Sequence, residues 1–151
     1  MKRIIALLIP VILLWSAMSG QKPPSDTALA VIANNSLSVN EMSMKDLQAC
    51  LLGEKVRWSN KGRVMLALMK SNTLVGKRAA KNVLDKSSTE LDKFYLTMVF
   101  QGKITSPKTF NNEDELILYV AETPGAIGII NYRQTSIVKF IKIDGKVTLP
   151  N

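Results

Sequence analysis

The sequence predicts an α/β sandwich, a single three-layer lobe with a mostly parallel sheet and a C-terminal hairpin. Short apolar runs without alternation recur at 28–33 (ALAVIA), 63–69 (RVMLALM) and 126–131 (AIGIIN). Runs of that kind read as strands buried on both faces. Helix-start signals with apolar 3.6-residue spacing lie between them, and strands interleaved with helices make an α/β layer structure.

In order, residues 28–33 form the first strand and Asn34-Asn35 a turn. Ser43 and Asp46 have capping-box spacing, and Met44, Leu47, Cys50 and Leu51 mark one helical face that Gly53 stops. A loop with Trp58, Asn60 and Gly62 leads into the second strand at 63–69. The next helix begins after Ser71-Asn72-Thr73 and runs to about Asp85, weakened by Gly76. Ser87 and Glu90 form a second capping box, before a core face of Leu91, Phe94, Tyr95 and Met98. Asn112 with Glu115 is a third cap-like pair before a helix over 116–122, which Pro124-Gly125 ends. Residues 126–131 make the third strand. Residues 137–143, the Asp144-Gly145 turn and 146–149 form the hairpin, with Lys139 and Lys142 placing its first arm at a sheet edge.

The organisation is residues 1–19 as signal peptide, 20–27 as a flexible Pro-rich leader and 28–149 as one domain. Lys2 and Arg3 precede an uninterrupted apolar run from Ile4 to Trp15, and Ala17-Met18-Ser19 offers a small-residue cleavage site. That run is short for a membrane-spanning helix, which needs about 20 residues. Export to the periplasm is the expectation. The whole chain carries 20 Lys and Arg against 12 Asp and Glu, a net charge of +8. Loss of 1–19 removes Lys2 and Arg3, leaving an excess of cations that fits anionic partners. Outside the cytoplasm, nucleic acid is not expected among them. Cys50 is the single cysteine, so no intramolecular disulfide forms, and its helical spacing reads as a buried small hydrophobe.

The chain has no histidine, which removes the commonest general base and metal ligand at neutral pH. No Cys pair, HExxH, GxSxG, Walker A or GxGxxG motif occurs. The carboxylates read as caps or solvated charges, so no catalytic residue, metal site or cofactor is expected. The best candidate site is Ser71-Asn72-Thr73, between a buried strand and a helix. Free N–H groups and the positive dipole end of such a helix attract an oxyanion, and the hydroxyls add donors.

A resemblance sharpens this reading. Val99, Phe100, Gly102, Lys103, Pro107 and Lys108, followed by Thr123-Pro124-Gly125-Ala126-Ile127-Gly128, resemble the vFtGk…Pk and tpGaIGy blocks of the periplasmic phosphate-binding protein family. Residues 46–58 (DLQACLLGEKVRW) resemble its el..iF.G…W block, retaining Leu52-Gly53 and Trp58. The resemblance spans residues 28–146 and implies a lobe of the type II periplasmic-binding-protein kind. It also implies a substrate-binding protein that works with an ABC transporter in phosphate transport, not an enzyme. The family's phosphate-contacting Ser-Gly-Thr-Arg segment falls on Ser71, Asn72 and Thr73. Asn72 replaces the glycine and Leu74 the arginine, with Arg78 one turn further on. The implied ligand residues are Ser71, Asn72, Thr73 and Arg78. Receptors of the family are two-lobed, and this chain is long enough for one lobe. The implied partners are therefore phosphate or a related oxyanion, a membrane transporter or sensor, and a second copy of the chain that would complete the cleft. The alternative expectation is an envelope interaction module that keeps the fold without a small-molecule ligand.

Overall fold

The computed structural model describes residues 28–150; the expected signal peptide and leader lie outside the described residues. The elements are β1 (Leu29–Ala33), β2 (Glu41–Met42), α1 (Met44–Leu51), β3 (Met65–Met69), α2 (Leu74–Leu84), α3 (Ser88–Phe100), β4 (Lys108–Phe110), α4 (Glu113–Glu122), β5 (Ala126–Asn131) and β6 (Lys139–Ile143). The strands form one sheet in the order β2-β6-β1-β5-β3-β4. β3 is parallel to β4 and β5, and β2 to β6, while β1 is antiparallel to both β5 and β6. Five strands therefore point one way, and β1 alone runs against them.

Every residue of β1 is buried. Leu29, Val31 and Ala33 join Leu47, Cys50, Leu51, Val75 and Val83 of α1 and α2 on one face. Ile32 joins Leu116, Ile117 and Val120 of α4 on the other. Helices on both sides of the sheet make the three layers. The unbroken apolar pattern thus records two-sided burial rather than parallel pairing, and it occurs here in the one reversed strand.

Ser43 and Ser87 cap at the expected i+3 spacing, whereas Asn112 bonds one residue before Glu115 and α4 starts at Glu113 rather than Leu116. Ser43 Oγ accepts from Asp46 N at 3.0 Å, and Ser87 with Glu90 makes a full capping box. The Asn112 side chain accepts from Asp114 N at 2.7 Å to start α4. Asn34 does more than turn the chain. Buried at the end of β1, its amide donates to Val120 and Ala121 carbonyls at 2.8 Å, supplying partners that the last turn of α4 lacks.

Two expectations change at the carboxyl end. The Asp144-Gly145 turn closes as a hairpin, with Ile143 and Lys146 exchanging backbone hydrogen bonds. The return arm then leaves β6 for β1, where Leu149 N donates to Leu29 O at 2.7 Å. β6 is not an edge strand, because two-residue β2 pairs along its outer side. Lys139 turns inward instead, donating to Leu37 O and to Asn40 Oδ1.

The cap carboxylates give the fold a definite acid limb. The Ser43 hydroxyl, and then Lys55, hold Asp46 below the usual carboxylate range; the Ser87 backbone N–H does so for Glu90 and Lys81 for Asp85. Carboxylates with depressed folded pKa contribute stability that is fully present above about pH 4 and lost as pH falls through the folded value. Melting temperature is therefore expected to be flat between about pH 5 and 8 and to fall in acid. In an Asp46→Asn/Glu90→Gln variant the fall should be shallower, as read by circular dichroism melts across pH.

Candidate functional site

The strand-to-helix junction after β3 is held by backbone. Thr73 is the N-cap of α2: its hydroxyl donates to Lys70 O at 2.7 Å and accepts from Gly76 N at 3.0 Å. Gly76 lets the first turn of α2 lie directly on the strand end. A Cβ there would meet Lys70 O at 2.2 Å and Met69 O at 2.9 Å. The glycine that lowers helix propensity is what closes this junction.

A cleft of about 370 Å³ opens beside it, between β3, α2 and α3. Lys70, Ser71 and Asn72 line it, with Thr109 of β4 and Ser88 and Asp92 of α3. Leu68, Met69, Ala80, Leu84, Leu91 and Tyr95 make much of its wall apolar. The Tyr95 hydroxyl donates to Leu51 O at 2.9 Å, and burial pushes its pKa up, so it stays a neutral donor. Cys50 is buried in the core, and burial pushes its thiol up to about 11, as befits a packing residue.

Electrostatics favour an anion at one end of this cleft. α1, α3 and α4 each carry an acidic residue in the first turn, whereas α2 carries none. The positive end of the α2 dipole is therefore not offset by a side chain of its own. Lys70 adds a full charge beside it. Asp92 works the other way, a carboxylate on the far wall of the same cleft.

The four residues singled out from sequence do not all meet. Ser71 and Asn72 line the cleft, while Thr73 is committed to the cap that shapes it. Arg78 is half-buried on α2 and directs Nη1 to Asn131 Oδ1 at 3.3 Å. Asn131 is in turn fixed by Glu113, which accepts from its backbone N at 2.7 Å and its side-chain amide at 2.9 Å. Lys70 is the cleft cation that the sequence reading did not name. Its place directly before Ser71, at the end of a buried strand, was the available signal.

The other resembling blocks meet away from this cleft. The Trp58 indole N–H donates to Gly125 O at 2.9 Å, joining the two blocks across the sheet. Gly125 has φ +79°, and a Cβ there would lie 2.3 Å from Arg63 O, so this turn admits glycine alone without strain. The most faithful motif residues thus hold the fold together.

No protein-family model matches the sequence, and no curated protein sequence matches it. Solved structures do. A phosphate ABC transporter substrate-binding protein from Clostridium perfringens, with bound phosphate, aligns at TM-score 0.63 and 14% identity, over 79% of this chain and 46% of that one. An ABC-type phosphate transport receptor from Vibrio cholerae aligns at TM-score 0.64 and 13% identity, over 80% and 48%. PstS from Borrelia burgdorferi aligns at TM-score 0.63 and 17% identity, over 79% and 48%. The chain spans less than half the length of these structures. Its fold is that of a phosphate-binding-protein lobe, single and of the type II kind.

Proposed function

We propose that the chain is an exported, periplasmic solute-binding lobe, not an enzyme, that takes phosphate or a related oxyanion at the carboxyl end of β3. The observation that carries this is the junction itself. A buried strand delivers Lys70, Ser71 and Asn72 to a cleft beside a helix N-terminus that has no acid in its first turn. Such junctions at the carboxyl edge of α/β sheets are where ligands usually bind. Thr73 shapes the site, while Arg78 is directed to Asn131 rather than lining the cleft. A single lobe leaves the anion partly in water, where each hydrogen bond contributes less. Affinity of this lobe taken alone is therefore modest, and rises where a membrane transporter, a sensor or a second copy covers the cleft.

Titration calorimetry with phosphate, sulfate and chloride tests this. Saturable heat with phosphate over chloride is expected, reduced about tenfold in affinity by Lys70→Ala/Ser71→Ala, the loss of about 1.4 kcal/mol of charge-assisted bonding. Thr73 is left intact so that the cap survives. Equal, salt-screened heats with every anion would overturn the proposal. A second reading rests on the largely apolar wall and on Asp92: the lobe serves as an interaction module in the envelope and holds no small ligand. Absence of heat with all three anions, in a chain folded by circular dichroism, would favour it.

A further inference from the structure

A second cleft, also of about 370 Å³, opens at the other end of β3. Lys55, Arg57, Arg63, Lys103 and Lys108 line it, and no carboxylate does. Lys55 has Asp46 at 3.6 Å; among the described residues, the other four cations form no ion pair. Gathering like charges in one concavity raises self-repulsion, which an anionic surface relieves. The cleft is unlike the one at Ser71, which holds one lysine and one aspartate.

Helix α3 runs into the wall of this cleft, since Gly102 and Lys103 follow directly on its last turn. On that turn Leu96, Val99 and Phe100 stand at i, i+3 and i+4, hence on one face. They are 62%, 36% and 85% exposed. Val56, between two of the cleft cations, is 49% exposed. A soluble polyanion needs cations and makes no use of an apolar stripe. A bilayer with anionic headgroups uses both, because cations meet phosphates while apolar side chains enter the interfacial layer.

We propose that this face docks the chain on an anionic phospholipid surface. Arg57, Arg63, Lys103 and Lys108 meet the headgroup phosphates, and Phe100 with Leu96 and Val99 enters the interface. The Ser71 cleft, at the opposite end of β3, stays open to solution.

The test is co-sedimentation of the full chain with vesicles of phosphatidylcholine alone or of phosphatidylcholine with phosphatidylglycerol, at about 0.05 and 0.5 M salt. Residues 1–27, with Lys2 and Arg3, are present in every variant, so the contribution of this face is read as the difference between parent and variants on each vesicle type. Each cation near the surface contributes about a fivefold factor, so anionic vesicles should bind at least about tenfold tighter at low salt. Arg57→Glu/Lys103→Glu should abolish that preference. Phe100→Ser should weaken binding several-fold and leave the salt dependence unchanged. All three changed positions are exposed, and melting curves check that the variants stay folded. Equal binding to both vesicle types, or a charge-reversed variant that binds like the parent, would overturn the proposal. So would tight binding to heparin with Phe100→Ser indistinguishable from the parent on vesicles, which would assign the cleft to a soluble polyanion.

Discussion

Replacing Trp58 by alanine should lower stability by about 4 kcal/mol, within the range for removing a large buried aromatic side chain. Trp58 is 3% exposed and belongs to the core cluster under α1 and α2. Most of the loss is cavity rather than hydrogen bond. Gly125 O still accepts from Met65 N at 3.0 Å when the indole is gone, so no buried acceptor is orphaned. Trp58→Phe, which keeps most of the volume but loses the N–H and part of the bicyclic ring, should cost about 1–2 kcal/mol. Urea unfolding of the two variants separates these contributions. Equal losses would mean that the indole bond, not the packing, holds the 58 loop to the 125 turn. A domain with 5–15 kcal/mol in hand loses a large share of it to the alanine variant.

Gly76→Ala sets two effects against each other. Alanine gains about 1 kcal/mol over glycine in a helix interior, and less at this first-turn position. Against that stands a Cβ placed 2.2 Å from the Lys70 carbonyl, a contact with backbone that no rotamer relieves. Overpacking of this kind costs about 1–3 kcal/mol, more where backbone must move. The expected net result is destabilisation of about 2 kcal/mol, with Lys77→Ala on the exposed side of α2 as a near-neutral control. The junction carrying Lys70, Ser71 and Asn72 must shift, so phosphate heat should fall in the same variant. A Gly76→Ala chain that melts higher than the parent would show that propensity, not packing, governs this turn.

Much of the architecture was legible because it rests on local chemistry. Ser43, Ser87 and Asn112 cap the helices that their spacing assigns to them. The runs at 28–33, 63–69 and 126–131 contain β1, β3 and β5. β2 and β4 escaped notice because two and three residues cannot display a period. The direction of β1 escaped because burial on two faces says nothing of which way a strand runs. The half-buried state of Leu91, Phe94 and Met98 also departs from their helical spacing. Periodicity marks a face, and only the packing of α3 against α2 decides how much of it is covered.

The cleft at the junction was legible in place and less so in its lining. A strand-to-helix junction with Ser71 and Asn72 follows from apolar pattern and capping chemistry. Thr109 reaches the same cleft through the pairing of β3 with β4, a contact no local signal carries. Arg78 sits one turn along the helix from Leu74, and its partner Asn131 is 53 residues away in sequence. The separation of its roles from those of Ser71 is a matter of tertiary position. Asn34 makes the same point: a turn residue in sequence becomes the terminus of a helix 86 residues later.

The reversed strand has a consequence for the order in which the chain acquires structure. β1 is the first element described, yet both of its neighbours, β5 and β6, are the last. A nascent chain that stops short of residue 126 holds β1 with two open edges and no sheet to join. Pairings this distant in sequence carry a high loop-closure cost and slow the folding of the whole domain. The central strand waits for the final quarter of the polypeptide, so the sheet cannot close around β1 until nearly all of the described residues are available.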